Sequence, residues 1–261
     1  MITTPYKNLK LANAPYGDVY QFYGENKEFY LKNFGTNGHN GLDLSKGYGT
    51  DLLAVINGWV KKMYSPSNSD VRKGYGISLI SDIVDSKFIE VIYWHTQNQF
   101  PAMIFEKTFV QNQQVIAKEG NSGSVYQGGL YCPVETRDKF PFCGSHCHFQ
   151  INECVVCPNF EAEFYHPNHN IPAKRLKTVN PLKYLIGSFN DNLFMGMYSE
   201  GVKNLQIFLS AQRLFNYSIT GFFGFKTWQA VKQFQINNRI FPTSGFCGPI
   251  TRNKLNQVIN E

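Results

Sequence analysis

Two patterns of apolar and polar residues divide the chain. Up to about residue 187, short runs rich in Val, Ile and Tyr are separated by turn signals such as Asn57-Gly58 and Lys73-Gly74. The runs are DLLAVINGWV at 51–60, GISLIS at 76–81, FIEVIYW at 88–94 and FQIN at 149–152. Short β-branched and aromatic runs between turn signals are typical of antiparallel strands. We therefore predict a mainly antiparallel β domain over residues 1–187.

A helical period replaces this pattern after about residue 198. Apolar residues there recur at intervals of three and four, which indicates amphipathic helices. They are Val202, Leu205, Leu209 and Leu214, then Trp228, Ala230, Val231 and Phe234, then Leu255 and Val258. The spacing predicts a small all-α domain of three helices over residues 198–261, joined to the β domain by a linker at 188–197.

The C-terminal part also repeats a short motif. GFFGFKT at 221–227 and GFCGPIT at 245–251 share the pattern G-F-x-G-x-x-T, and each copy precedes a predicted helix. The glycines permit tight turns, and Thr or the residue before it suits a helix start. On its own, the repeat indicates only loop-to-helix chemistry used twice.

Composition excludes several classes of protein. Of the 261 residues, 43% are hydrophobic and 17% are charged, which excludes a disordered tail and a collagen-like fibre. No apolar run approaches the roughly 18 residues of a membrane helix. The start, MITTPYKNLK, has no apolar region of a signal peptide. We therefore expect no membrane insertion and no secretory signal peptide.

The net charge of +6 is unevenly distributed. Residues 188–261 contain seven Lys and Arg against three Asp and Glu, a net charge of +4. No basic run reaches five residues, so we predict no nucleic-acid partner. A mildly basic surface favours an anionic partner in general, whether nucleic acid, a membrane surface or a cell-wall glycan, and it serves solubility equally well. We expect the chain to be a monomer.

Four residues suggest a second, structural metal site as a minority alternative. Cys154 and Cys157 form a CxxC that is followed by His166 and His169. The pattern resembles a structural zinc site, although the middle spacing is shorter than in the usual finger. Disulfides or buried thiols are the favoured alternative for the cysteines.

Three short segments hold the candidate chemistry. His39 and Asp43 form an HxxxD, His95 lies in YWHT, and His146 and His148 form an HxH. Residues i and i+2 of a strand point to the same face, so the two histidines of the HxH project together. Nitrogen and carboxylate ligands suit Zn²⁺, and three protein ligands leave a position for water, whose pKa zinc lowers. Each motif alone is a weak signal, but their order and flanking glycines make a catalytic zinc site the stronger interpretation.

The motifs in this order resemble the lysostaphin-like (LytM-type) zinc metallopeptidases over about residues 20–185. The matching segments are GHNGLDL at 38–44, Gly49-Thr50, AVINGWV at 54–60, YWHT at 93–96, GNSG at 120–123 and GSHCHFQI at 144–151. The resemblance implies that His39, Asp43 and His148 bind zinc. It implies that His95 and His146 are catalytic non-ligands that supply a general base and stabilise the oxyanion. It also implies hydrolysis of peptide bonds in bacterial peptidoglycan.

The chain departs from that family in two places. The middle of the HxH is usually a bulky apolar residue, and here it is Cys147, which alternation directs away from the zinc into the core. About twenty residues, Ser124 to Cys143, separate GNSG from the HxH, where the family has only a few. We expect this insertion to form a wall of the substrate groove and a Cys132–Cys143 disulfide to pin it under oxidising conditions.

The helical part resembles the three-helix peptidoglycan-binding domain of wall hydrolases. The matching segments are Leu205-Gln206, TGFFGFKTWQAVKQFQ at 220–235 and SGFCGPITRNKL at 244–255. This resemblance implies non-catalytic attachment to peptidoglycan, and tethering raises the effective concentration of the catalytic part at the wall.

These resemblances together imply a zinc endopeptidase, either a phage or prophage endolysin with antimicrobial use or a bacterial wall hydrolase. Two alternatives stay open: a non-catalytic wall-binding regulator of other hydrolases, and a virion-associated lytic structural protein. Intact histidine and aspartate motifs disfavour the regulator. The resemblance is compatible with cleavage of D-Ala-to-diaminopimelate cross-links, glycine bridges or stem-peptide bonds. A start without a signal peptide suits an endolysin that is made in the cytoplasm and released onto the wall, and it also suits a trimmed mature chain.

Overall fold

The N-terminal part is built around a central antiparallel sheet. A computed structural model describes residues 2–68, 71–127 and 130–261. Its strands are β1 (Val19–Gln21), β2 (Leu42–Leu44), β3 (Asp51–Leu53), β4 (Gly58–Tyr64), β5 (Tyr75–Ile80), β6 (Lys87–Thr96), β7 (Phe109–Val110), β8 (Val115–Lys118), β9 (Tyr126–Gln127), β10 (Leu130–Tyr131), β11 (Cys147–Val156), β12 (Phe164–Tyr165) and β13 (Pro172–Val179).

The main sheet runs in the order β1-β2-β11-β6-β5-β4-β7, and β13 pairs with both β11 and β12. Two further pairs, β3 with β8 and β9 with β10, lie outside it. All of these strand pairings are antiparallel, which confirms the predicted β class. β11 lies between β2 and β6, so the sheet brings the three histidine-bearing segments side by side.

One face of β11 packs into the core. Cys147, Phe149 and Ile151 are fully buried there, together with Tyr93 of β6. Because strand side chains alternate, the intervening His148 and Gln150 point to the other face. Cys147 therefore fills the core as a small apolar residue, as alternation predicts.

Six helices occur in the residues that the structure describes. They are α1 (Lys27–Phe34), α2 (Val134–Lys139), α3 (Leu182–Leu185), α4 (Glu200–Ala211), α5 (Phe225–Asn237) and α6 (Pro249–Asn260). The last three make up the helical C-terminal part. The prediction was wrong for Leu214, which lies beyond the end of α4 because the chain turns through a left-handed Arg213 with φ 58°. None of the helices described is both long and apolar enough to cross a membrane.

The two copies of the G-F-x-G-x-x-T motif make the same set of hydrogen bonds. In the first copy the side-chain amide of Gln206 donates to Phe222 O and to Thr227 Oγ1, both at 2.9 Å, and its oxygen accepts from Gly221 N. The second copy repeats these bonds around Gln235. Gly224 and Gly248 are the N-caps of α5 and α6. The threonine of each copy does not cap its helix, because it is buried and its hydroxyl accepts a hydrogen bond from the glutamine.

The helical part is packed against the β part. Asn13 donates through its backbone N to Ser210 Oγ at 3.1 Å and through Nδ2 to Ser210 O at 2.7 Å. Arg213 forms a two-bond pair with Glu25, at 2.6 and 2.9 Å. Within the segment predicted as a linker, Phe189 N donates to Asn256 Oδ1 at 2.7 Å. The predicted linker, residues 188–197, is therefore packed against α6 at Phe189.

Candidate metal centre

Three side chains converge at the open face of the sheet where β2 meets β11. His39 Nε2, Asp43 Oδ1 and His148 Nδ1 lie 2.9–3.0 Å from one another. In the part of the chain that the structure describes, this is the one group of three or more His, Cys, Asp or Glu whose ligand atoms come together. Atoms at this separation can all lie about 2.0–2.2 Å from one cation, which is the distance that zinc takes to histidine nitrogen and carboxylate oxygen.

Hydrogen bonding orients the first ligand. His39 is buried, and its Nδ1 lies 3.2 Å from the carbonyl oxygen of Phe22. If Nδ1 carries the proton and donates to that oxygen, Nε2 has its lone pair directed at Asp43 and His148. Gly41 makes room for the second histidine, because a Cβ at this position would lie 2.8 Å from His148 Nε2. The chain therefore leaves space for three ligand atoms at one point.

The electrostatics of the group favour an ionised carboxylate. Burial would raise the pKa of Asp43, but the charges of His39 and His146 and the hydrogen bonds from His148 and His39 hold it well below its usual range. Burial lowers the pKa of His148, although Asp43 opposes this. One carboxylate anion and a neutral imidazole are the forms that bind a divalent cation.

Two further histidines lie beside the group without joining it. His146 Nε2 is 3.8 Å from Asp43 Oδ1, and its Nδ1 lies 2.8 Å from Gly144 O. His95 Nδ1 lies 2.7 Å from Ser122 O, and the rings of His95 and His146 are 4.7 Å apart. A carbonyl partner on Nδ1 selects the tautomer with an unprotonated Nε2. Burial, followed by the charges of His146 and His148, lowers the pKa of His95 well below its usual value.

A bulge in β6 turns His95 towards the site. Tyr75 pairs with Thr96 while Gly76 pairs with Trp94, so His95 is the extra residue between them. Trp94 already lies opposite His148, and simple alternation would direct His95 to the other face. His95 adopts a left-handed backbone with φ 64°, and such bulges redirect side chains. Sequence spacing gives no sign of this bulge.

Glu119 is a buried residue that the sequence analysis missed. Its carboxylate accepts from Tyr6 Oη at 2.8 Å, Ser45 Oγ at 2.6 Å, Lys46 N at 2.9 Å and Ser145 Oγ at 2.7 Å. Ser45 follows the strand of Asp43, and Ser145 precedes His146. Glu119 therefore fixes both segments from behind, and only its position directly before GNSG could have suggested it.

A cleft of about 1260 Å³ opens over four of the five residues, and His39 is buried beneath them. Asp43, His95, His146 and His148 lie at its floor. The aromatic side chains that line it include Phe29, Tyr30, Tyr48, Trp94, Tyr126 and Phe142. Its volume is above the roughly 300–1,000 Å³ that is usual for small-molecule pockets.

The insertion 124–143, here called the groove loop, borders this cleft through Tyr126 and Phe142. A disulfide joins Cys132 to Cys143, as expected. Arg137 of α2 donates to the backbone oxygens of Asn121 and Gly123. These oxygens flank Ser122, whose own carbonyl oxygen contacts His95 Nδ1 at 2.7 Å. The groove loop thus supports the turn that orients His95.

The structure does not bring together the four residues considered for a second metal. Cys154 and Cys157 are buried free thiols, and Cys154 packs with Ile80, Phe88 and Ala173. His166 Nε2 lies 2.9 Å from Ser81 O, and His169 Nε2 lies 2.7 Å from Asp82 Oδ1. Within the described ranges the four form no common ligand group, because the histidines are used to fasten the loop after β12 to the end of β5.

Comparison with known proteins gives one family match. Residues 198–255 match the family model described as a putative peptidoglycan binding domain. This segment contains the three helices α4, α5 and α6 and both copies of the repeat. The predicted resemblance of the helical part to a peptidoglycan-binding domain is thereby confirmed. No curated protein matches the chain significantly.

Several solved structures resemble the chain at low sequence identity. A zinc-containing peptidase from Vibrio cholerae is 16% identical, with a TM-score of 0.38, over 58% of this chain and 36% of that one. The catalytic domain of a prophage-encoded M23 protein from Enterococcus faecalis, in mutant form, is 17% identical with a TM-score of 0.36, over 64% and 92%. The catalytic domain of lysostaphin, an antimicrobial peptidase from Staphylococcus simulans, is 18% identical with a TM-score of 0.35, over 64% and 89%.

The chain spans about a third of the length of the Vibrio cholerae protein, at 36%. It spans most of the two catalytic domains. The matches thus include a peptidoglycan-binding family model and the catalytic domain of lysostaphin, the two kinds of protein that the sequence resembles.

Proposed function

We propose that the chain is a zinc-dependent endopeptidase that hydrolyses peptide bonds in bacterial peptidoglycan. The observation that carries this proposal is the convergence of His39 Nε2, Asp43 Oδ1 and His148 Nδ1 within 2.9–3.0 Å of one another, at the floor of a large cleft. These three residues would hold the zinc. Zinc would supply a Lewis acid and a water of lowered pKa.

His95 and His146 are proposed as the catalytic residues. Each presents an unprotonated Nε2 in the tautomer that its carbonyl partner favours. One of them accepts the proton of the attacking water at Nε2, donates it in a hydrogen bond to the oxyanion of the scissile carbonyl, and then passes it to the leaving amine. The other donates to the same oxyanion when it carries a proton taken up from solvent. Burial favours the neutral form of His95 before the reaction, which suits a base.

We propose that the two parts of the chain have different functions. Residues 1–187 form the endopeptidase unit, 188–197 connect, and 198–261 form the wall-binding unit. The match of residues 198–255 to a peptidoglycan-binding model supports the last assignment. The net charge of +4 on residues 188–261 favours a polymer that carries carboxylates. Both a phage or prophage endolysin and a bacterial wall hydrolase fit this arrangement.

The test combines metal content with product analysis. Purified sacculi of both main wall chemistries are incubated with the wild-type chain and with His148→Ala, and released fragments are identified by mass spectrometry. We expect stoichiometric zinc and new peptide termini only with the wild type. A wild-type chain that neither contains nor takes up zinc, or that releases no peptide fragments, would contradict the proposal.

A further inference from the structure

Three extended segments form a small layer on the surface of the helical part. Leu193 pairs with Cys247 through two backbone hydrogen bonds, at 2.9 and 3.2 Å. Tyr198 pairs with Phe222, and Met197 O accepts from Phe223 N at 2.8 Å. The segment 193–198 therefore lies against both repeat loops, 221–224 and 245–248.

This layer has a buried side and an exposed side. Leu193, Phe223 and Cys247 are buried against the helices. Their neighbours point outward, and their exposed fractions are 51% for Phe194, 78% for Tyr198, 48% for Phe222 and 40% for Phe246. We call these four residues the aromatic face.

The members of the aromatic face are close to one another in pairs. Tyr198 and Phe222 are directly opposite across an antiparallel bridge, so their side chains lie on the same side. The ring centroids of Phe194 and Phe246 are 6.4 Å apart. The rings of Phe222 and Phe246 lie over Gly224 and Gly248, and their other sides stay exposed. Exposed aromatic rings that lie together in this way mark interaction sites.

We propose that the aromatic face binds the glycan strand of peptidoglycan by stacking its rings on the apolar faces of the sugars. This inference rests on the proposed wall-binding role and specifies where on the molecule it resides. A tyrosine presents both an apolar ring and a hydroxyl, which matches a sugar ring with its own hydroxyls.

Charge supports this occupant over a neutral polymer. Residues 188–261 carry a net charge of +4, and the stem peptides attached to the glycan carry carboxylates. Both repeat copies contribute one ring each, Phe222 and Phe246, at the same position of G-F-x-G-x-x-T. The repeat thus presents two equivalent rings, each of which can stack on a sugar of the same polymer.

The test measures binding of the full chain to purified sacculi by sedimentation, at increasing wall concentration. Tyr198→Ala and Phe222→Ala should each weaken binding about three- to tenfold, the effect of losing one aromatic contact of roughly 0.5–1.5 kcal/mol. Tyr198→Phe and Phe222→Tyr keep the rings and should bind within about twofold of the wild type. Phe241→Ala is the matched control, since Phe241 is 73% exposed and follows the far end of α5.

Thermal unfolding of each variant separates loss of the face from loss of the fold. Alanine variants that unfold as the wild type does and bind sacculi equally well would overturn the aromatic face and leave wall binding itself intact. A wild-type chain that does not sediment with sacculi would contradict the wall-binding role as well. Wild-type dimers that Phe222→Ala converts to monomers would show that a second copy covers the face, which also overturns the proposal.

Discussion

Single residues decide the geometry of the metal centre. Strand alternation places His146 and His148 on one face, and the family resemblance predicts His39, Asp43 and His148 as the ligands; the structure places the ligand atoms of these three together. His95 does not follow from alternation, because a bulge with a left-handed residue redirects it. Glu119 gives no motif at all, since its role depends on donors from three distant segments.

The two histidines of the HxH should differ in what their loss removes. His148→Ala should abolish zinc binding and hydrolysis together, because Nδ1 is one of three ligand atoms. His146→Ala and His95→Ala should keep zinc and slow hydrolysis by roughly 10²–10⁴, the usual contribution of one acid–base group. Zinc content by elemental analysis and kcat on a soluble peptide measure both effects. Zinc lost from His146→Ala but kept by His148→Ala would reverse the assignment.

Replacing Glu119 should destabilise the protein strongly. Glu119→Ala leaves four donors without their buried acceptor, and one such group costs about 1–3 kcal/mol. We expect the free energy of unfolding in urea to fall by about 2–4 kcal/mol. Glu106→Ala is the control, since this exposed carboxylate accepts only from Met63 N among the hydrogen bonds described, and we expect about 0.5 kcal/mol or less. Equal losses for the two variants would refute the role of Glu119.

At the scale of elements, the pattern of apolar residues explains why most strands and helices were predictable. The strands at 76–81 and 88–94 and the three C-terminal helices were recognisable from it, whereas the run at 51–60 contains β3 and the start of β4, with a break between them. Tertiary pairing was not, because the order β2-β11-β6 joins segments about fifty residues or more apart in the chain. The groove loop was located by its length, but its contact with the turn of His95 through Arg137 depends on three-dimensional packing.

Opening the disulfide of the groove loop should loosen the cleft wall. A cross-link that closes a loop of this size, 11 residues apart, stabilises a protein by about 3 kcal/mol in the chain-entropy model. Cys132→Ser/Cys143→Ser should be cleaved faster by protease between 124 and 143 and should hydrolyse peptide more slowly, with zinc content unchanged. Reductant should reproduce this in the wild type and have no further effect on the double variant. An additional effect there would implicate another thiol.

At the scale of the whole molecule, the two parts of the chain share one apolar core and several polar contacts. Asn13 binds the end of α4 through Ser210, and Arg213 binds Glu25. Glu25 in turn accepts from Phe22 N at 2.9 Å, and Phe22 O is the partner of His39 Nδ1. The sequence of the helical part does not reveal the contacts of Ser210 and Arg213, because their partners Asn13 and Glu25 lie nearly 200 positions earlier in the chain.

Deleting residues 190–261 should have two separable effects. It should abolish sedimentation with sacculi, and it should lower the melting temperature because Asn13 and Glu25 lose their partners. Asn13→Ala/Arg213→Ala in the full chain is the control: it should lower the melting temperature and keep wall binding. Scanning calorimetry and sedimentation distinguish the two. A truncated chain as stable as the full one would show that the contacts contribute nothing.

If the chain acts as the proposed wall-bound endopeptidase, the contact between Arg213 and Glu25 limits its reach. An anchor on a flexible tether samples a volume whose radius grows with the length of the tether. Here the packed segment around Phe189 and the paired side chains hold the anchor at one distance from the cleft. The cleft then meets only bonds at a fixed offset from the anchoring point. Each new cut requires release and reattachment, so the spacing of cuts along the wall would record the dimensions of the protein.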